Sequence, residues 1–323
     1  MTRLGLLSTA DINSAILTAS NASDRVEVVA VASRDAAKAE AYARTHGIPV
    51  AYGSYDALLA DPDVEAVYVS LPNALHVEWT IRALEAGKHV LCEKPMSRDP
   101  ARVEAVFDVA ERHGLVCMEA LMWRHHPQTL RLAALVAEGA IGELRLVRAA
   151  FSHPLYDQPQ HVRTRADLDG GSLMDLGCYC VSALRLLAGE PTSVSAFRVL
   201  GATGVDERLA ATLAFPAGVL GLFDSGFDLV ARSELEALGA HGSIRAEDPW
   251  EGRAPRLTLQ RGEHVEVIEF EPVDHYRLEL EDLDRAIRGE GEALLGRADA
   301  LGQARTIAAL VRAAELGRAV SPA

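Results

Sequence analysis

No apolar run in the 323-residue chain approaches the ~18 residues that a membrane-spanning helix needs, although 49% of its residues are apolar. Positive charge is scarce: 32 basic residues face 46 acidic ones, a net charge of −14, which disfavours nucleic acid as a partner. Cysteine is scarce too. Cys92, Cys117, Cys178 and Cys180 fit no disulfide framework, and the single residue between Cys178 and Cys180 is too short for a zinc half-site. Buried reduced thiols in a reducing compartment are the expectation. No His, Asp and Glu cluster has metal-ligand spacing, so no metal is expected, and internal repeats and low-complexity segments are absent. The opening MTRLGLLSTADI has one Arg and too short an apolar stretch for a signal peptide, so a cytoplasmic protein is expected. What remains is an ordinary globular composition, long enough for two domains.

The first 120 residues alternate two periods. Strand-like runs at 4–8, 26–33, 64–70, 89–92 and 115–120 alternate with amphipathic helical stretches at 12–22, 35–47, 75–87 and 100–114. Gly47, Gly87 and Gly114 close three of those helices at the usual stop position. Such βαβ units predict an α/β domain with a doubly wound parallel sheet over residues 1–122. Beyond Trp123 the pattern changes. Helices are predicted near 126–138 and 173–188, with a strand at 143–152 and a polar loop from there to Asp169. Runs beginning at 192, 208, 218, 233, 256 and 264 then read as strands joined by short turns. Residues 123–323 thus form an α+β domain with a large, open, mostly antiparallel sheet, ending in helices near 276–289 and 297–317. The C-terminal helix is expected to pack back on the first domain.

In such a parallel sheet, ligands bind beyond the carboxyl ends of the strands. The first strand-to-helix turn, Ser8-Thr9-Ala10-Asp11-Ile12-Asn13, is therefore placed to hold a pyrophosphate on a helix N-terminus. Ser8, Ala10 and Asn13 stand where a glycine fingerprint would want three glycines, so position rather than motif carries this reading, and an ordinary turn fits the letters as well. The second strand ends at Ala32-Ser33-Arg34. Without an acid for a ribose hydroxyl, Ser33 and Arg34 favour NADP over NAD, although a solvated Arg34 at a helix start is the plainer alternative. Glu93-Lys94-Pro95 ends a later strand of the same sheet, where a lysine ammonium can stabilise negative charge developing on a substrate oxygen.

The segments LPNALH (71–76), AGKHVLCEKP (86–95), MEALMWRHHPQ (118–128) and GGSLMDLGCYCV (170–181) resemble the glucose–fructose oxidoreductase / inositol 2-dehydrogenase (Gfo/Idh/MocA) family. They are most similar to its branch of dimeric dihydrodiol dehydrogenases and D-xylose dehydrogenases. The resemblance spans nearly the whole chain and implies a Rossmann domain holding NADP, with NAD as the alternative, and substrate lying over the second domain's sheet. It makes Lys94 the catalytic lysine, often followed by a cis bond to proline, and Tyr179 the acid–base where many relatives carry His. Leu71, Pro72, Asn73, His76, Glu93 and Lys94 itself are expected beside the cofactor, and Trp123 and Arg124 near the substrate.

The residues themselves agree. Asp175 and Tyr179 are spaced i, i+4 and share a helix face, and Gly170 and Gly171 would let that helix start approach a nicotinamide. A phenol titrates near ~10, so Tyr179 needs a neighbouring cation to accept a proton. Asp175 could orient the substrate hydroxyl or Lys94. Arg163, in the loop before the glycine pair, could reach a cofactor or substrate oxygen, and the 153–169 loop is expected to supply pocket residues. The expected reaction is oxidation of an aldopyranose at C1 to a lactone. A ketosugar reductase, a retained-NAD glycosidic cleavage with no net redox change, and a non-catalytic sugar sensor are the alternatives. A homodimer or homotetramer is expected, without nucleic-acid or membrane partners.

Overall fold

The computed structural model describes residues 1–155, 158 and 160–322. The chain divides into two compact units, one made of Met1–Met122 with Asp274–Leu301, the other of Trp123–Val273 with Gly302–Ala323.

The first unit is built on a six-stranded parallel sheet. In chain order its elements are β1 (Thr2–Leu6), α1 (Asn13–Asn21), β2 (Val26–Ala32), α2 (Ala36–His46), β3 (Val50–Tyr52), α3 (Tyr55–Leu59), β4 (Ala66–Val69), α4 (His76–Glu85), β5 (His89–Glu93), α5 (Pro100–His113) and β6 (Cys117–Ala120). The strand order β3-β2-β1-β4-β5-β6 reverses between β1 and β4, and that crevice is where doubly wound folds take ligands. Leu4, Leu6, Val31, Tyr68 and Leu91 have no exposed surface, as expected of strands covered on both faces. Two elements escape the sequence reading: β3, a three-residue edge strand, and α3, a single short helix whose start is capped by Ser54 accepting from Ala57 N–H at 3.2 Å. Both are too short to show a period. The return of 274–301 has a local cause as well. Asp284, on the helix His275–Ile287, accepts from Thr2 Oγ1 at 2.7 Å and pairs with Arg25 at 2.8 Å, tying that helix to the first strand.

The second unit starts with α6 (Pro127–Ala137) and β7 (Leu144–Ser152); the helical run at 173–188 follows, its α-helical part being α7 (Cys178–Ala188). After it come β8 (Ser193–Leu200), β9 (Asp206–Ala214), β10 (Leu220–Gly226), β11 (Arg232–Gly239), β12 (Ser243–Glu247), β13 (Arg256–Arg261) and β14 (His264–Glu269). The eight strands lie in the order β14-β13-β12-β11-β7-β10-β9-β8. All neighbours are antiparallel except β7 and β10. The single run read at 233–247 is in fact a hairpin, because the chain turns at Ala240–Gly242 with Gly239 N–H donating to Gly242 O at 2.8 Å. Residues Ala166–Ala188 are long and apolar enough to cross a membrane by length and composition, yet 78% of that window is buried inside the fold.

Candidate active site

The turn after β1 is closed by its own side chains. Ser8 Oγ lies 2.7 Å from Ser70 Oγ and accepts the Ala10 N–H at 3.0 Å, while Asn13 donates its amide to Ser8 O at 2.8 Å. Asn13 is fully buried, so at the position of a third glycine it acts as a latch for the turn. Among the described residues, no protein group accepts from the N–H of Thr9, Asp11 or Ile12, and α1 has no side-chain cap. Free donors at a helix start suit the phosphates of a dinucleotide, with backbone rather than the exposed Asp11 carboxylate facing the anion. At the end of β2, Ser33 Oγ accepts from Asp35 N–H, and Asp35 caps α2 through Lys38 N–H, both at 3.2 Å. Asp35, next in the chain, thus serves the helix start. Burial raises the pKa of the Tyr55 phenol, and the hydrogen-bonded Arg34 guanidinium beside it works in the opposite direction.

At β5 the buried run Val90-Leu91-Cys92 ends where the strand leaves the core. Glu93 follows, its carboxylate accepting from Tyr68 Oη–H and, at 3.0 Å, from Lys94 N–H. The Lys94–Pro95 peptide is cis. His76 is 1% exposed, with Nδ1 2.9 Å from Pro95 O and Nε2 2.7 Å from Leu71 O. Each ring nitrogen thus faces one of the chain's own carbonyls, the one that carries the proton donating to its carbonyl, and burial lowers the imidazole pKa. Within the first unit His76 is a strut between the loop after β4 and the lysine turn. Leu71 is buried, and Pro72 and Asn73 begin the short 3₁₀ turn beside that strut.

In the second unit, Leu173–Gly177 forms a π-turn that runs into α7, a feature that no residue pattern announces. In an α-helix residue i+4 sits about 40° past alignment; the wider π-turn rotates less per residue, which keeps Asp175 and Tyr179 on one side. The helix start is capped from β9: Asp206 accepts from Ser172 Oγ and from Leu173 N–H, each at 2.7 Å. Burial raises the Asp206 pKa against the lowering effect of these bonds. The glycine pair has a cause within the chain itself. A Cβ on Gly170 would lie 2.3 Å from Arg163 O, and one on Gly171, at φ +124°, would lie 2.3 Å from Asp206 Oδ1. The chain's own loop and cap require both glycines.

Arg163 Nε lies 3.0 Å from Asp175 Oδ2, so within this unit it serves the carboxylate. Tyr179 is 6% exposed, edge-on to Phe151 (centroids 5.2 Å, 88°) and to Trp250 (6.0 Å, 63°). Trp250 donates Nε1–H to Ala150 O at 3.1 Å and takes the edge of Trp123 at 5.1 Å. Trp123 has no exposed surface, and Arg124 is buried and donates to Ser182 Oγ at 3.0 Å. Trp123 thus backs the Trp250 ring that meets Tyr179, and Arg124 is tied to α7. His126 caps α6 through Gln128 N–H at 3.0 Å. Asp206 and Trp250 escape sequence reading because nothing local marks an Asp at a strand start or a Trp in a loop as a partner of residue 173 or 179. Tyr156, Asp157 and Pro159 of the expected pocket loop lie outside the described residues. All four cysteines are buried and outside any disulfide, and no metal-binding group of His, Cys, Asp and Glu occurs among the described residues.

A compact cation after a parallel strand and an acid–phenol pair on one helix face are suited to hydride chemistry at a carbon bearing oxygen. Comparison with known proteins agrees. Residues 5–121 match the model of an oxidoreductase family with an NAD-binding Rossmann fold, and residues 129–245 match the GFO/IDH/MocA C-terminal domain. The chain is 40% identical to D-xylose 1-dehydrogenase (NADP(+)) 2 of Haloferax volcanii over 98% of both chains. It is 38% identical to the trans-1,2-dihydrobenzene-1,2-diol dehydrogenase of Bos taurus over 74% of this chain and 71% of that one. The structure of KijD10, a 3-ketoreductase from Actinomadura kijaniata in complex with NADP and TDP-benzene, superposes with a TM-score of 0.91 at 33% identity over 97% of each chain. The chain therefore belongs to the GFO/IDH/MocA family of NAD(P)-dependent oxidoreductases, in the branch that includes D-xylose and trans-dihydrodiol dehydrogenases.

Proposed function

We propose that this enzyme transfers a hydride between a nicotinamide and a hydroxyl-bearing carbon of a sugar or cyclic polyol, oxidising an aldopyranose at C1 to its lactone. The observations that carry the reading are Lys94 directly after β5 of the first unit and, within the second unit, Asp175 and Tyr179 on one helix face. NADP, when bound, supplies the hydride acceptor. Ser8–Ile12 hold its phosphates through backbone N–H groups, and Ser33 and Arg34 meet its 2′-phosphate. Tyr179 takes the proton from the substrate hydroxyl, Lys94 holds positive charge beside the oxygen as it gains negative charge, and Asp175 orients the hydroxyl. The test is absorbance at 340 nm with NADP⁺ or NAD⁺ and a panel of aldoses, inositols and trans-dihydrodiols. Turnover of a pyranose with NADP⁺ supports the reading; a silent panel sinks it. A second reading, reduction of a nucleotide-linked ketosugar, draws on the likeness to KijD10.

Cofactor choice can be tested separately. Arg34→Ala lowers kcat/KM for NADP⁺ by about 10- to 100-fold and leaves that for NAD⁺ within about threefold, because only the 2′-phosphate loses a charged partner. Equal losses with both cofactors would remove Arg34 from the 2′ site.

The outer face of the eight-stranded sheet supports a homo-oligomer. It carries a concavity of about 540 Å³ floored by Ser195, Thr212 and Leu222, with Arg148 and Arg245 on either side of Glu236 across the strands. Phe197 stands on this face 77% exposed, and an uncovered aromatic beside self-complementary charges fits a second copy. Phe197→Glu should convert the wild-type oligomer to monomer in light scattering; an unchanged mass would place the interface elsewhere. The buried thiols, outside any disulfide, fit a cytoplasmic setting.

A further inference from the structure

We infer that Arg163 is a positioning residue that acts through Asp175, locking the carboxylate in place at the helix start without touching the substrate itself. The inference rests on the proposed role of Asp175. Two backbone bonds and one ion pair carry it. Gly171 N–H donates to Arg163 O at 2.9 Å, and Gly171 O accepts from Asp175 N–H at 3.0 Å. Arg163 and Asp175 therefore hang from opposite sides of one residue, and their side chains close the ring at 3.0 Å between Nε and Oδ2. The loop has little slack elsewhere. Gly170 N–H donates to Arg165 O at 3.0 Å, His161 accepts from Arg163 N–H at 3.2 Å, and neither glycine has room for a Cβ.

The exposures separate the two partners. The Asp175 side chain is 15% exposed and that of Arg163 is 47% exposed, so the carboxylate is the sheltered member and the guanidinium reaches it from a wet loop. An ordinary exposed pair would contribute little to stability. Here the pair's consequence is geometric: a guanidinium at 3.0 Å from one carboxylate oxygen restricts rotation of the Asp175 side chain, which matters when a hydroxyl must be held for proton removal.

The test is a double-mutant cycle in kcat and KM, using Arg163→Met, Asp175→Asn and the double variant, with Arg163→Lys as the conservative replacement. Arg163→Met should lower kcat about 10- to 100-fold, leave KM for NADP⁺ within about twofold and leave the melting temperature nearly unchanged. Arg163→Lys should recover part of the loss. In the Asp175→Asn background, adding Arg163→Met should change kcat by less than about twofold, because the group it positions is already disabled. An equal loss in both backgrounds would show that Arg163 acts on the substrate directly or on the fold, and would overturn the inference. Wild-type kcat in Arg163→Met would do the same. If Asp175→Asn alone keeps full activity, the assigned role of Asp175 falls first and the inference falls with it, a result recognisable from that single variant.

Discussion

Lys94→Ala should lower kcat/KM by about 10³-fold or more while the dissociation constant for NADP changes less than about threefold, since a preorganised charge at a developing oxyanion has its effect only in the transition state. Steady-state kinetics and fluorescence titration of the cofactor check the two halves independently. The composition sharpens this expectation. Lys38, Lys88 and Lys94 are the chain's only lysines among 32 basic residues, and arginine serves nearly everywhere else. Lys88 has a structural task, being buried with its ammonium donating to Asp61 O at 2.6 Å and Val64 O at 2.7 Å. Lys94 sits where its neighbours are fixed: Glu93 accepts its N–H, and Pro95 O is held by His76. A broad guanidinium cannot replace a compact ammonium aimed by such a turn, so Lys94→Arg should recover little of the lost activity. An Ala variant retaining more than about a tenth of wild-type kcat/KM would contradict the assigned role.

Tyr179→Phe should lower kcat by about 10²- to 10⁴-fold, the range for loss of a positioned acid–base group. Stability should hardly move, because the ring's contacts with Phe151 and Trp250 survive the loss of the hydroxyl. The pH profile distinguishes chemistry from packing. In the oxidation direction the wild type should gain rate as pH rises, since the phenol must give up its proton or share it before taking another. That limb should vanish in Tyr179→Phe. Persistence of the limb together with a full rate would assign the base elsewhere and leave Tyr179 as packing.

How much of this was legible in the sequence depends on the range of the interaction. The parallel sheet was legible because its strands are buried on both faces and its helices repeat a single amphipathic period, both local properties. Lys94, Asp175 and Tyr179 stand in short segments whose letters carry their own order and spacing. Edge strand β3 and helix α3 were not legible, being shorter than the window a period needs. The tie between Thr2 and Asp284, the Asp206 cap and the Trp250 wall behind Tyr179 were illegible for the opposite reason: each joins residues far apart in the chain. His76 and Arg163 show an intermediate case. The sequence singled both out, but not the groups of the chain itself that their side chains meet, Pro95 O and Leu71 O for one and Asp175 for the other.

The most direct test of the account is isotope transfer. The enzyme is incubated with NADP⁺ and the aldopyranose it turns over, deuterated at C1, and the cofactor and sugar products are analysed by mass spectrometry and NMR. The account predicts one deuterium at C4 of the reduced nicotinamide, formed together with the sugar lactone, and no such transfer with Tyr179→Phe. Reduced cofactor without deuterium would place the hydride donor at another carbon, and label retained on the sugar with no reduced cofactor would contradict C1 oxidation altogether.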